Sequence, residues 1–323
     1  MTEVANPRTG KVQLPTELLR EVVQYYAQAV EWREPENPRH SYKPRWSDFE
    51  PLTLASKALR QLALEAWFEV YYAQSPGDLL HVWPEFSVWT RELHCVDLGT
   101  DLKICPVQWS LRAFRRLRKL RVDFDPAQSN AMLLMRFDHP RLIASRLQEL
   151  EVHDMSWPSP MIMGLISDAF PGLRVLKFSQ DLIWCSLCNT CCFPTFIDHP
   201  PHEIVYEKGV GLPLHYARYL APLVHLHTIC ITVSYDLGGL MSLSDGNDAK
   251  WSGECDACMD MMFFDEDFKA QWVERKRTVE KPPALKCVQW RLRHKRAEDV
   301  FEGLAEDLAN DDAGEDEEEE DEG

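Results

Sequence analysis

Apolar residues recur at helical spacing in two stretches near the N-terminus, with a proline-rich segment between them. The first stripe runs through Leu14, Leu18, Leu19, Val22, Val23 and Tyr26, and the second through Leu52, Ala55, Leu59, Leu62, Ala63, Ala66, Trp67 and Val70. Pro15 and Glu17 suit the first turn of a helix. Residues 33–51 contain four prolines and many charges. The pattern therefore predicts two helices joined by a loop over 33–51.

From about residue 93 the pattern changes to a repeated unit, apolar-x-x-apolar-x-apolar. Its copies are Leu93-Val96-Leu98, Leu117-Leu120-Val122, Leu147-Leu150-Val152, Leu173-Leu176-Phe178, Leu226-Ile229-Ile231 and Leu285-Val288-Trp290. The first four begin 24, 30 and 26 residues apart, and the last two gaps, of 53 and 59 residues, contain insertions or an unrecognised repeat. The short spacings match the period of leucine-rich repeats, roughly 20–29 residues.

Helix-compatible segments lie between these units, at 109–116, 127–136, 161–170, 214–220 and 264–277. Strands that alternate with helices at this spacing are typical of a parallel sheet with helices on its other face. The expected fold class is therefore α/β, with a small helical module followed by an irregular leucine-rich-repeat solenoid. The outward positions of the strands, such as Lys119, Arg121, Glu149 and Glu151, predict a mixed-charge face suited to a protein partner.

Charge is distributed very unevenly along the chain. From Glu298 to the end there are 15 acidic residues and no Lys or Arg, so the rest of the chain carries 35 basic against 37 acidic residues. The tail 298–323 is expected to be disordered. A nearly neutral body with an acidic tail argues against nucleic-acid binding. No apolar run is long enough to cross a membrane and the N-terminus has no signal-peptide pattern, which predicts a cytoplasmic or nuclear protein.

Six of the ten cysteines lie in two tight groups. Cys185, Cys188, Cys191 and Cys192 follow the fourth repeat unit, and Cys255 and Cys258 follow the fifth. Two Cys-x-x-Cys pairs suit a tetrahedral zinc ion, and insertions leaving adjacent parallel strands would emerge side by side. The predicted cofactor is structural zinc, bound by four of Cys185, Cys188, Cys191, Cys255 and Cys258, with His199 and His202 as spare candidates. The spacing leaves open whether Cys185 pairs with Cys188 or Cys188 with Cys191. The remaining cysteines, Cys95, Cys105, Cys230 and Cys287, are expected to be buried thiols.

The N-terminal segment resembles an F-box. The residues that carry this resemblance are Leu14-Pro15-Thr16-Glu17-Leu18-Leu19 with Val22 and Val23, then 52–60 with Leu62 and Ala63. The loop over 33–51 is long for that module. The resemblance implies binding to a Skp-type adaptor and through it to a cullin, while the repeats hold an unknown protein substrate. It implies an adaptor surface formed by Leu14, Pro15, Leu18, Leu19, Val22, Leu59 and Leu62.

The expected organisation is a disordered N-terminus (1–11), an F-box-like helical module (12–72), a repeat domain with cysteine-rich insertions (73–297) and an acidic tail (298–323). No nucleotide-binding, hydrolase or metalloprotease motif occurs in the chain, and a four-thiolate site leaves no position for water. We therefore expect a non-catalytic adaptor, and the resemblance to an F-box implies that it is the substrate receptor of a cullin-type ubiquitin ligase. The alternative is a stand-alone repeat scaffold whose F-box-like helices only cap the array.

Overall fold

The computed structural model describes residues 14–29, 43, 46–96, 109–123, 137–138, 141–155, 159–239, 243 and 251–294. These residues form a mixed α/β fold with a mostly parallel central sheet and flanking helices. They fall into two compact units. The first contains the described residues up to 153 together with 169–173, and the second contains 154–168 and those from 174 onward.

Three helices begin the first unit: α1 (Thr16–Ala29), α2 (Trp46–Ala55) and α3 (Lys57–Trp67). The prediction of one second helix and of a loop over the whole of 33–51 was wrong. The hydroxyl oxygen of Ser56 accepts the Leu59 N–H at 3.1 Å and caps the start of α3. The second apolar stripe is therefore divided between α2 and α3. Helix α2 forms despite Pro51, since ring contacts of Phe49 with Trp67 (5.2 Å between centroids) override the local proline signal.

The first unit continues through nine further elements. They are β1 (Val70–Ala73), a 3₁₀ helix (Pro76–Leu79), α4 (Pro84–Trp89), β2 (Glu92–Val96), β3 (Trp109–Ser110), β4 (Lys119–Asp123), β5 (Phe137–Asp138), α5 (Arg141–Ala144) and β6 (Glu149–Met155). Strands β1, β2, β4 and β6 lie side by side in that order, all parallel. The short β3 pairs with β5. Strand β3 and the turns after it occupy the segment 109–116, where the helix prediction was wrong; the helix predicted at 127–136 lies outside the described residues.

The register of the first repeat copy also differs from the prediction. Leu93 lies opposite Leu120, not opposite Leu117, so this copy begins three residues earlier, at Thr90. The predicted third position, Leu98, lies outside the described residues. Thr90 is fully buried where the later copies have leucine, and its hydroxyl oxygen lies 3.0 Å from the Phe68 carbonyl and 2.8 Å from the Phe86 carbonyl. A polar side chain can replace leucine here because its single hydroxyl hydrogen finds an acceptor inside the protein.

The described residues after β6 form eleven further elements. They are α6 (Pro160–Ala169), β7 (Val175–Gln180), β8 (Ile183–Trp184), β9 (Cys191–Cys192), β10 (Thr195–Phe196), β11 (Glu203–Glu207), α7 (Leu214–Leu220), β12 (Thr228–Leu237), α8 (Asp256–Phe264), α9 (Glu266–Thr278) and β13 (Cys287–His294). The two-residue β10 pairs with the end of β12. Strand β12 lies between β7 and β13, parallel to both, and β11 is antiparallel to β13. The helices predicted at 161–170, 214–220 and 264–277 are confirmed as α6, α7 and α9.

The strands enter the sheet through the same local structure in both units. The N–H groups of Arg118 and Lys119 both donate to the Arg91 carbonyl, and those of His227 and Thr228 both donate to Arg174. The apolar residues that follow are in register, with Leu176, Ile229 and Val288 opposite one another and fully buried. The repeated apolar pattern therefore corresponds to a repeated strand entry and a continuous apolar layer within each unit.

Candidate metal centre

The first pair of clustered cysteines lies at the tip of a hairpin. Strands β8 and β9 are antiparallel, and between them the Cys185 N–H donates to the Thr190 carbonyl at 2.9 Å. Asn189 donates its N–H to the Cys185 carbonyl at 3.0 Å and has a φ of 58°. Asparagine tolerates this left-handed conformation better than most residues. The tight turn brings the thiols of Cys185 and Cys188 to the same side of the hairpin.

The second pair lies at the N-terminus of α8. Cys255 is the N-cap residue, and its carbonyl accepts the N–H groups of Cys258 (3.0 Å) and Met259 (2.9 Å). Cys258 is therefore in the first helical turn, where it is almost completely buried. The positive end of the helix dipole favours negative charge at these positions.

The two pairs meet in one cluster. The sulfur atoms of Cys185, Cys188, Cys255 and Cys258 all lie within 4.8 Å of one another, and those of Cys188 and Cys255 are 3.7 Å apart. Four sulfurs at about 2.3 Å from a tetrahedral zinc ion would be separated by about 3.8 Å. The described cysteines form no disulfide. The cluster thus has the spacing, the ligand type and the number of ligands that a metal ion needs.

The structure distinguishes between the alternatives that the spacing left open. Cys185, not Cys191, is the partner of Cys188 in the cluster. Cys191 lies in β9 opposite Trp184 and is outside the group. The spare candidate His199 instead places its Nδ1 atom 3.0 Å from the Tyr235 hydroxyl. The prediction that adjacent strands bring the insertions together is confirmed, because β7 and β12 pair directly.

The thiols of the cluster differ in acidity. Burial raises the pKa of Cys185 to about 11, although backbone N–H groups oppose the shift. Burial also raises the pKa of Cys258, and the neighbouring Cys185 and Cys255 add to the effect. At Cys188, hydrogen bonds from Thr190 outweigh burial and lower the pKa to about 7. A bound dication would favour the thiolate form of all four.

A buried carboxylate, which no sequence pattern indicated, supports the second cysteine pair. Glu254 accepts hydrogen bonds from the Ser252 N–H (2.6 Å) and hydroxyl (2.7 Å), from Trp272 Nε1 (2.9 Å) and from Lys276 Nζ (2.6 Å). Burial raises its pKa, but Lys276 and Ser252 outweigh this and hold the pKa below 4.5. These bonds tie the segment just before Cys255 to α9.

Helices α8 and α9 are also held by apolar packing. Met262 of α8 and Trp272 of α9 form a buried cluster with Leu214 of α7. Asp265 is the N-cap residue of α9, and its carboxylate accepts the Phe268 N–H at 2.9 Å. Its acidic side chain therefore serves as a helix cap. The carboxylate network and this packing together hold α8 and α9, and the four-cysteine cluster lies at the start of α8.

The residues predicted to bind an adaptor lie in three different environments. Leu14, Pro15, Leu18 and Val22 are exposed, whereas Leu19 and Leu59 are half-buried. Leu62 is only 5% exposed, so it belongs to the core between the helices. Leu18 and Val22 form one exposed row with Tyr25 along α1, and Leu14 lies just before that helix. The exposed fractions are 56% for Leu14, 46% for Leu18, 61% for Val22 and 75% for Tyr25.

The polar face of the strands in the first unit carries a network of charges. Lys119 lies 2.9 Å from Glu92 and 3.5 Å from Glu151. Deeper in this face, the Asp123 carboxylate is hydrogen-bonded to His94, and it accepts a hydrogen bond from Arg121 Nε at 2.9 Å. The pKa of Asp123, although raised by burial, is lowered overall by these two partners. The mixed-charge face is thus largely paired within itself.

Comparisons with known proteins add no identification. No protein-family model matches the chain, and no curated protein is significantly similar to it. Within the described residues, no helix combines the length and the apolar character needed to cross a membrane.

Proposed function

We propose that this chain is a non-catalytic protein-binding adaptor, the substrate receptor of a cullin-type ubiquitin ligase. The observation that carries the proposal is the exposed apolar row that Leu18, Val22 and Tyr25 form on α1, with Leu14 exposed just before the helix. The three helical residues are three or four positions apart and so lie on one helix face. Contiguous apolar surface of this kind marks a protein-binding site more often than ordinary surface does.

Other side chains of α1 attach it to the neighbouring helices. Val23 is buried, and the Tyr26 hydroxyl donates to the Asp48 carbonyl at 2.8 Å. The rings of Tyr26 and Phe49 are 5.7 Å apart, and Arg20 lies 3.4 Å from Glu65 of α3. The apolar row is therefore presented by a supported helix. This arrangement suits docking to a Skp-type adaptor, as the resemblance to an F-box implies.

The parallel strands supply the other half of the proposal. We interpret them as an irregular leucine-rich-repeat solenoid, because the same strand entry and the same apolar positions recur along the chain. The polar strand face and the insertions would bind the protein substrate. The chain itself would carry out no chemical step. Tethering the substrate raises the effective concentration of the ubiquitin donor at its lysines.

The four-cysteine cluster is proposed to hold structural zinc. Four thiolates complete a tetrahedral coordination sphere, which suits a structural rather than a catalytic ion. The ion would fasten the β8–β9 hairpin to the start of α8, two segments separated by 66 residues of sequence between Cys188 and Cys255. Elemental analysis of protein purified from zinc-supplemented cells should find about one zinc per chain. Less than about 0.2 zinc per chain, or iron in its place, would contradict the assignment.

Co-expression with a Skp-type adaptor tests the adaptor proposal. The wild type should co-purify with the adaptor, and Leu18→Asp with Val22→Asp should abolish the complex because both charges enter the apolar row. Val205→Asp with Val224→Asp is the matched control, since both valines are 54% exposed and lie in the second unit. If the wild type does not co-purify, the chain is better described as a stand-alone repeat scaffold capped by its N-terminal helices.

A further inference from the structure

A short segment of the first unit has a rigid backbone and a strongly basic outer face. Between β3 and β4, Leu111, Phe114 and Leu117 occupy every third position and are almost completely buried. The Phe114 N–H donates to the Leu111 carbonyl at 3.0 Å, and the Leu117 N–H to the Phe114 carbonyl at 3.1 Å. Two consecutive turns with buried anchors fix the direction of the side chains between them.

Those intervening side chains are mainly arginine. Arg112, Arg115, Arg116 and Arg118 are all exposed. Arg112 forms an ion pair with Asp138, at 2.7 Å. In the part of the chain that the structure describes, the other three guanidinium groups form no ion pair within 4.0 Å. Three exposed cations within four residues therefore face solvent from a fixed backbone.

Two arginines from neighbouring loops extend this surface. Arg146 donates from Nη1 to the Arg115 carbonyl at 3.2 Å, and the Arg118 N–H donates to the Arg91 carbonyl at 2.8 Å. The Arg91 guanidinium is itself held by the carbonyls of Val88 (2.9 Å) and Trp89 (3.2 Å). These hydrogen bonds join the three loops of the arginine cluster, defined as Arg91, Arg112, Arg115, Arg116, Arg118 and Arg146.

The charges in this cluster are close enough to affect one another. Burial lowers the pKa of Arg91, the nearby Arg116 and Arg118 lower it further, and Glu69 and Glu65 act in the opposite direction. Like charges held together at short range repel one another, so the electrostatic field between them favours the binding of an anion. An anion bound between these guanidinium groups would reduce the repulsion among them.

We propose that the arginine cluster binds a phosphorylated serine or threonine segment of a partner protein. A phosphate group carries up to two negative charges and three acceptor oxygens, so one group can engage several guanidinium groups. Arginine suits this better than lysine, because its planar donors match phosphate geometry. The compact arrangement favours a single modified segment over nucleic acid, which needs an extended row of cations. The inference does not depend on adaptor binding.

Fluorescence anisotropy with the full chain tests this directly. The probe is a fluorescein-labelled glycine–serine peptide with two adjacent phosphoserines. Its unphosphorylated form, its form with glutamate in place of phosphoserine, and an oligouridylate of equal charge are compared with it. At physiological salt we expect binding of the phosphopeptide with a Kd below about 100 µM. The other three should bind at least about fivefold more weakly.

Variants of the cluster identify the surface. The triple variant Arg115→Gln with Arg116→Gln and Arg118→Gln should bind the phosphopeptide at least about tenfold more weakly than the wild type. The affinity of the corresponding triple lysine variant should lie between those of the glutamine variant and the wild type. The matched control removes three exposed arginines of the second unit, Arg218, Arg277 and Arg293, and should change binding by less than about twofold. Circular dichroism establishes that the variants are folded.

Four outcomes would overturn the proposal. They are no binding by the wild type, equal binding by the glutamine variant, equal binding of the glutamate peptide, and equal binding of the oligouridylate. The last two would show that the cluster attracts any anion or binds RNA.

Discussion

Replacing the buried carboxylate Glu254 by glutamine should destabilise the insertion that carries α8 and α9. Glutamine preserves the size of the side chain but removes its charge. One of the two carboxylate oxygens becomes an NH₂ group that faces a donor, either the Ser252 N–H or the group formed by Trp272 Nε1 and Lys276 Nζ. In either orientation the Lys276 ammonium, which is 5% exposed, loses its counter-charge.

The size of this effect follows from the burial of the pair. Breaking a fully buried ion pair by removing one partner costs about 3–5 kcal/mol, because the remaining charge stays desolvated. At about 1.4 kcal/mol for each tenfold change, local opening should become roughly 100-fold to 5,000-fold more frequent. Glu274→Gln is the matched control: Glu274 is 64% exposed and lies 4.0 Å from Arg277, so its loss should cost below about 0.5 kcal/mol.

Hydrogen–deuterium exchange measured by mass spectrometry suits this test, because it reports the opening of 252–278 separately from the rest of the chain. Lys276→Met should have a similar effect, since it leaves the Glu254 carboxylate without its cation. The double variant should cost less than the sum of the two single changes. A cost of less than about 1 kcal/mol for Glu254→Gln would refute the reasoning, since it would mean that Lys276 is solvated or that the pair contributes nothing.

The remaining predictions concern the metal and the first unit. Cys188→Ser should lose bound metal, whereas Cys191→Ser should retain it, as measured by elemental analysis. Chelation should accelerate hydrogen exchange in the β8–β9 hairpin and α8 and leave β4 unchanged; equal acceleration in both would contradict a local role. Asp123→Asn should lower the unfolding temperature of the first unit, because one of the two oxygens that face His94 and Arg121 becomes an NH₂ donor and both partners lose the charge of Asp123. Because the folded pKa of Asp123 lies below 3.8, its contribution is complete above about pH 4 and is lost as pH falls. The variant should therefore show a smaller acid-induced loss of stability, and an unchanged acid response would contradict this assignment.

The sequence predicts the elements whose signal is local and periodic. Leu120, Leu150, Leu176 and Ile229 lie on strands as expected, because spaced apolar residues report directly on a buried sheet face. The first copy was placed in the wrong register because Thr90 fills a leucine position. The acceptors of its hydroxyl are the carbonyls of Phe86 and of Phe68, the latter 22 residues earlier in the chain, and no sequence pattern indicates such a contact.

The candidate metal site was predictable only in part. The Cys-x-x-Cys spacing and the neighbouring strands indicate a shared site, but the choice between Cys185 and Cys191 depends on the hairpin turn at Asn189. The role of Glu254 was not predictable, because an isolated glutamate beside a cysteine has no signature. Its partner Lys276 lies 22 residues away along the chain, and only the packing of α9 brings the two together.

Reconstitution with purified components tests the central claim most directly. The chain, a Skp-type adaptor and the N-terminal domain of a cullin are mixed and separated by size-exclusion chromatography with light scattering. The account predicts a ternary complex with one copy of each, which Leu18→Asp with Val22→Asp abolishes and Val205→Asp with Val224→Asp preserves. Elution of the adaptor–cullin pair without the wild-type chain would contradict membership of the ligase.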